Sequence, residues 1–183
     1  MHENLTFNVA QLLKEPVGAT RSGIVIADLH RLAPEVLQVE DGTEAVLSGP
    51  VRLMHSQGGV LVQGQLQGEA AYLCARCLES VVVPLDVPIE ESFRSTSDLV
   101  TGRPVEVEEE DRALWIDEHH ILNIEEVLRQ SVLVMAPMHV VCREDCRGLC
   151  PTCGQNLNAG SCDCGPEPDP RWSALSDLLN ELS

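Results

Sequence analysis

The sequence predicts an α+β, β-rich fold: an antiparallel sheet or partly open barrel as the body, one or two amphipathic helices, and a C-terminal knuckle-like cysteine segment. Three observations predict it. From about residue 43 to residue 93 the apolar residues fall in short runs of period 2, broken by Gly and Pro. One later stretch has helical spacing, and six cysteines crowd into residues 142–164. A chain of 183 residues suits one domain with an appendage or two small domains. The expected division is a body over residues 1–137, with its helix near 121–135, and a metal-binding cysteine segment with a terminal helix over 138–183.

Each element has its own signal. Residues 9–14 read as a short amphipathic helix, and 23–29 as a strand. Ser56-Gln57-Gly58-Gly59 is a turn between strands at 51–55 and 60–66. Val83, Leu85, Val87 and Ile89 alternate with Pro84, Asp86, Pro88 and Glu90, which predicts one buried and one wet face. The two prolines share a side and cannot donate to a ladder, so this is an edge strand. The acidic stretch 106–111 reads as a solvated loop. Residues 121–135 read as a helix, with Asn123 as N-cap, Glu126 three residues on, and Ile124, Val127, Leu128, Val132 and Met135 on one face. Pro137 ends it. A last helix over 171–182, with Trp172, Leu175, Leu178 and Leu179 on one face, follows a proline-stiffened linker at 166–170.

Composition narrows the function. Hydrophobic residues make up 44% of the chain and aromatics only 3%, so the core is aliphatic and stacking platforms for single-stranded nucleic acid are scarce. Twelve Lys and Arg against 29 Asp and Glu leave a net charge of −17, a field that repels phosphate backbones and favours a basic protein partner. The N-terminus lacks a basic region followed by an apolar run, and no stretch is apolar for the length of a bilayer. The expectation is a soluble, cytoplasmic protein, and in that reducing compartment eight cysteines point to metal or redox chemistry before disulfides.

The C-terminal cysteines are Cys142, Cys146, Cys150, Cys153, Cys162 and Cys164. At their centre stands Cys150-Pro151-Thr152-Cys153-Gly154, a CxxC turn that sets two sulfurs at chelating separation, Pro151 fixing one φ and Gly154 supplying a positive one. A tetrahedral zinc site needs two more thiolates. Cys162 and Cys164 can supply them across a turn, as can Cys142 and Cys146 across one helical turn. The two left over are outer-sphere thiols, members of a two-metal cluster, or partners of Cys74 and Cys77, whose CxxC lies between strand-like runs as a hairpin-tip knuckle. His139 is a further ligand candidate, whereas His119 and His120 lack ligand spacing. A catalytic zinc keeps an open position and favours His or carboxylate ligands; this cluster holds no histidine, and no GxSxG, P-loop, HExxH or dinucleotide fingerprint is present. A structural Zn2+ in a protein that is not an enzyme is the resulting expectation.

Cys74-Ala75-Arg76-Cys77 after a β-rich half, the helix ending near Pro137, the run Cys146-Arg147-Gly148-Leu149-Cys150-Pro151-Thr152-Cys153-Gly154, and Asp169-Pro170-Arg171-Trp172 together resemble the YceD-like family, also described as large ribosomal RNA subunit accumulation proteins. The resemblance covers most of the chain. It implies a bacterial cytoplasmic factor, with plastid relatives, needed for accumulation or processing of large-subunit ribosomal RNA. The partner it implies is a large-subunit precursor or a basic ribosomal protein. Some relatives lack most of the C-terminal cysteines, so the resemblance implies that metal stabilises the tail in this branch and is not the shared mechanism. The function expected is therefore ribosome biogenesis through protein or pre-ribosome contacts, ahead of a zinc/thiol redox-sensing regulator. Direct RNA contact through Arg143 and Arg147, set among Glu144, Asp145 and Asp163, ranks below the first.

Overall fold

The computed structural model describes residues 4–37, 45–96, 105, 109–165 and 171. The expected terminal helix beyond Arg171, the linker 166–170 and acidic residues 106–108 lie outside the described residues. The body is a curled five-stranded mixed sheet with one face covered by a two-stranded ribbon and the helices. In chain order the elements are β1 (Thr6–Asn8), β2 (Thr20–Asp28), α1 (Leu29–Leu32), β3 (Val46–Ser56), β4 (Gly59–Leu73), β5 (Ser80–Ser95), β6 (Trp115–Ile116), β7 (Ile121–Asn123) and α2 (Glu125–Met135). The large sheet has the order β2-β3-β4-β5-β6, and β1 pairs with β7.

The expected turn at residues 56–59 closes the β3–β4 hairpin, where Ser56 faces Gly59. Both strands run longer than the expected 51–55 and 60–66, because β3 reaches back to bury Leu47 and β4 runs on past Gln67-Gly68 to bury Ala70, Ala71 and Tyr72. β3 bends at Gly49-Pro50, where its ladder to β4 is interrupted between Ser48 and Val51. Pro50 lacks the donor a central strand needs there, and a Cβ on Gly49 would stand 2.2 Å from the Gln65 carbonyl oxygen. That close approach of two backbones curls the sheet.

In β5, Leu85, Val87 and Ile89 are buried while Pro84, Asp86, Pro88 and Glu90 are exposed, as the alternation requires. Among the described residues β5 pairs along its length with β4, and β6 meets it at Arg94 and Ser95, so both prolines lie on a sheet edge there. The β5–β6 pairing is parallel, which makes the sheet mixed where a purely antiparallel one was an alternative. The reason is the long crossover from Ser95 to Trp115, which brings the chain back in the same direction. Its end, Glu109–Leu114, is a 3-10 helix, so this half of the expected acidic loop is ordered backbone.

Two further expectations are corrected. Residues 121–123 are strand, and the helix begins only at Glu125. Asp117 accepts hydrogen bonds from the backbone N–H groups of His119 (2.9 Å) and Ile121 (2.7 Å), and this turn feeds Ile121 into pairing with Asn8. Asn123 still acts at the junction, its Oδ1 accepting the Glu125 N–H at 2.9 Å, but Ile124 holds the N-cap position. Met135 is 45% exposed, because the last turn of α2 runs past the core. Residues 9–14 contain a shorter 3-10 helix, Leu12–Lys14, which still buries Leu12 and Leu13.

One apolar cluster joins the inner sheet face (Val25, Leu47, Val60, Leu66, Val87, Phe93) to Leu29 of α1 and to Val127, Leu128 and Val132 of α2. A second, separate cluster is made of Cys74, Cys77 and Cys146, with Cys142, Val81 and Leu149 packed on it. It lies at the far end of the β4–β5 hairpin, and there the cysteine segment is docked.

Candidate metal centres

The β4–β5 connection, Cys74 to Glu79, is closed by the Cys74 N–H donating to the Glu79 carbonyl at 2.8 Å. Inside it the chain makes a tight knuckle: the Leu78 N–H donates to the Cys74 carbonyl at 2.9 Å, and Leu78 has φ +60°. The Cys150–Gly154 turn repeats this construction. There the Gly154 N–H donates to the Cys150 carbonyl at 2.9 Å, and Gly154 has φ +72°. Two segments distant in sequence thus fold into the same CxxC knuckle, since each needs a left-handed residue straight after its second cysteine to turn both sulfurs to one side.

Each knuckle meets a different second pair. Cys74 and Cys77 come together with Cys142 and Cys146, an inner quartet, and Cys150 and Cys153 with Cys162 and Cys164, an outer quartet; within each group the sulfurs lie within 4.8 Å of one another. Cys142 and Cys146 are set by a turn, the Cys146 N–H donating to the Arg143 carbonyl at 3.1 Å, where the spacing had predicted a helical turn. In the inner quartet Cys74 and Cys146 sulfurs are 3.9 Å apart, and those of Cys77 and Cys142 3.6 Å. Disulfide sulfurs bond at about 2.05 Å, and all eight thiols are free. Four sulfurs at about 2.3 Å from one tetrahedral zinc stand about 3.8 Å from each other. The inner distances bracket that value, and the all-sulfur donor set suits a closed, soft-ligand site. Either quartet could hold a metal ion. His139 is exposed and, like His119 and His120, belongs to neither quartet.

Local dipoles prepare the sulfurs. Backbone N–H groups of Cys77 and Arg76 point at the Cys74 sulfur and, against the cost of burial, bring its thiol down to about 6. Those of Cys153 and Thr152 do the same for Cys150, also to about 6. Cys146 is lowered first of all by the side-chain N–H of Asn158. Their neighbours respond in the opposite sense. Although the Glu79 N–H favours its thiolate, burial and the adjacent sulfurs push Cys77 up to about 12, and the Cys153 sulfur leads in pushing Cys164 up to about 12. Each quartet therefore carries thiolate beside thiol, and full ionisation calls for a cation among the four sulfurs.

Several residues that hold the inner quartet together are not cysteines. The Arg76 guanidinium donates to the carbonyls of Cys146 (3.0 Å) and Glu144 (3.2 Å). Its own carbonyl accepts the Leu149 N–H at 3.1 Å, and Gly148, at φ +75°, passes so near that a Cβ there would be 3.0 Å from that oxygen. The Ala75 N–H donates to the Val140 carbonyl at 2.8 Å, and the Cys142 N–H to the Cys74 sulfur at 3.4 Å. Glu79, Asn158 and Asn156, whose side-chain N–H donates to Glu79 at 2.8 Å, carry no signal in the sequence. Arg76 is legible there as part of the motif Cys74-Ala75-Arg76-Cys77 and not as a clamp.

Outside the quartets, four arginines pair with carboxylates of this chain. Arg21 pairs with Glu15, Arg31 with Glu125 (2.8 Å), Arg129 with Glu35 (2.6 Å) and Glu126 (3.1 Å), and Arg143 with Asp145 (3.3 Å). Each such pair takes one charge of either sign, so the net charge of −17 stands beside them. No helix among the described residues is long and apolar enough to cross a membrane.

Fold and thiols together define a small α+β protein in which a β-hairpin tip and a C-terminal segment share a four-sulfur site of metal-binding geometry. The chain belongs to the YceD family, whose model, described as "Large ribosomal RNA subunit accumulation protein YceD", matches residues 62–179 and so takes in both quartets. An uncharacterized protein of Mycobacterium tuberculosis (strain ATCC 25618 / H37Rv) is 30% identical over 179 residues, 98% of this chain and 83% of the relative. Another, of Mycobacterium leprae (strain TN), is 25% identical over 175 residues, 96% of this chain and 77% of the relative. The "Large ribosomal RNA subunit accumulation protein YCED homolog 1, chloroplastic" of Arabidopsis thaliana is 24% identical over 174 residues, covering 83% of this chain and 54% of that protein. No solved structure gives a significant match.

Proposed function

We propose that this protein is a non-enzymatic, cytoplasmic factor of large ribosomal subunit biogenesis, supporting ribosomal RNA accumulation by holding a basic ribosomal protein or a precursor particle on its acidic surface. A structural zinc ion, held by thiolates drawn from the eight cysteines, orders the segment 138–183. The observation that carries the structural half is the inner quartet, which takes two sulfurs from the tip of the β4–β5 hairpin and two from the cysteine segment. Metal there works as a staple between body and tail. A closed four-thiolate site leaves no position for substrate or water, which supports a structural over a catalytic role. The family description and the net charge of −17 support the ribosomal half. A surface of that sign speeds encounter with a cationic partner and repels bare RNA.

The test is sedimentation of a tagged chain from growing cells, with metal analysis of the purified protein. Co-migration with large-subunit precursors, lost at raised salt, is expected, together with bound zinc. Absence from every ribosomal fraction would sink the ribosomal reading, and protein purified without metal would sink the zinc reading.

A further inference from the structure

The two quartets are held in different ways. Three inner cysteines, Cys74, Cys77 and Cys146, are buried with Leu149 and Val81 packed on them. In the outer quartet only Cys150 is buried, and Cys153 and Cys164 are exposed. The outer loop hangs on a few backbone hydrogen bonds, among them Cys150 N–H to Gln155 carbonyl (2.8 Å) and Leu157 N–H to Gly148 carbonyl (2.9 Å). So little apolar burial is weak support for a loop of this length, and this is where a bound ion would add most order.

Between its two cysteine pairs this loop turns back over the inner quartet. Asn158 Nδ2 donates to the Cys146 sulfur at 3.3 Å, while its Oδ1 accepts the Arg147 N–H at 2.8 Å. Asn156 holds Asn158 from behind, accepting its N–H at 2.9 Å, and donates to Glu79 of the hairpin at 2.8 Å. The outer loop thus hands an N–H to a sulfur of the inner quartet. Such a bond disperses thiolate charge and shields the ligand from protons.

We propose that the outer quartet is a second zinc site, and that its ion orders the loop that lays Asn158 on the Cys146 sulfur, so that filling the outer site slows loss of the inner ion. Asn158 is then a positioning residue: it touches a ligand and not the metal. The proposal rests on the zinc reading above.

The test uses the full chain, its zinc content and the time course of zinc transfer to an excess of a chromophoric chelator. Two ions per chain are expected, leaving in a fast outer and a slow inner phase. The double variant C153S/C164S should hold one ion, released about tenfold faster than the slow phase of the parent, within the range for loss of outer-sphere partners. Asn158→Asp keeps the acceptor for Arg147 and loses the donor to sulfur; it should keep two ions and the fast phase but speed the slow one about as much. This second variant carries the test if the first does not fold. Two ions in the double variant, or an unchanged slow phase in Asn158→Asp, would overturn the proposal. A parent chain without zinc would overturn the preceding reading as well, whereas two ions that leave independently would overturn this one alone.

Discussion

Leu78 and Gly154 occupy the same place in two knuckles, each with positive φ straight after the second cysteine. An L-residue in that conformation costs about 1–2 kcal/mol, partly offset by the greater freedom glycine loses on folding. A Cβ on Gly154 meets nothing within 4 Å, so Gly154→Ala should destabilise by about 1 kcal/mol through backbone conformation alone. Leu78 is 59% exposed, and Leu78→Gly should shift stability the other way. Thermal melts of the metal-loaded protein check both, and equal signs would show that the two turns are not equivalent.

The thiols carry a pH prediction. Cys74 and Cys150, held down to about 6, contribute stability that is fully present above their ordinary range and is lost as pH falls through about 6. Cys77 and Cys164, pushed up to about 12, hold their protons near neutrality. Metal must displace those protons, so binding at neutral pH should release protons and affinity should rise with pH. Calorimetry in buffers of different ionisation enthalpy would count them. An affinity flat between pH 6 and 8 would contradict the thiolate site.

At the scale of elements, α2 and the β4–β5 hairpin perform separate tasks. α2 closes the main core with Val127, Leu128 and Val132, and Arg129 ties it to Glu35 ahead of β3. Leu128 is fully buried, and Leu128→Ala should cost about 3 kcal/mol by leaving a cavity. Because the quartet cluster is separate from the main core, this variant should retain its metal while unfolding at lower denaturant. Arg76→Ala, which removes the clamp onto Cys146 and Glu144, should do the reverse, speeding metal loss while the sheet melts nearly as before. Metal release and far-ultraviolet dichroism followed in parallel would separate the two tasks.

At the scale of the whole molecule, body and tail meet at the β4–β5 hairpin tip, through the inner quartet and through the hydrogen bonds that Ala75, Arg76 and Glu79 make to the cysteine segment. Chelation should free the cysteine segment and leave the sheet folded, seen as new proteolytic cleavage confined to residues beyond 137 with little loss of strand signal. Global unfolding on chelation would mean that the metal is part of the main core. Association with the cationic partner proposed above should weaken steeply with salt, since attraction between exposed charges is screened over about 10 Å at 0.1 M ionic strength.

The long strands β2 to β5, the edge prolines, the turn before Gly59 and both CxxC knuckles were legible in the sequence alone, because each is a matter of local spacing: period 2, a ring that cannot donate, two cysteines three residues apart. The start of α2 was not. Ile121 and Leu122 fit a helical stripe as well as a strand, and only pairing with β1 decides between them. The parallel β6 likewise depends on where a long crossover lands. For the cysteines, spacing showed that thiols are abundant and that knuckles exist, but left Cys142 and Cys146 able to join either one. The tertiary structure decided it by bringing the β4–β5 hairpin tip against Cys142 and Cys146, some seventy residues away. A knuckle fixes only half of a tetrahedral site; the other half is chosen by whichever sulfurs the folded chain brings near.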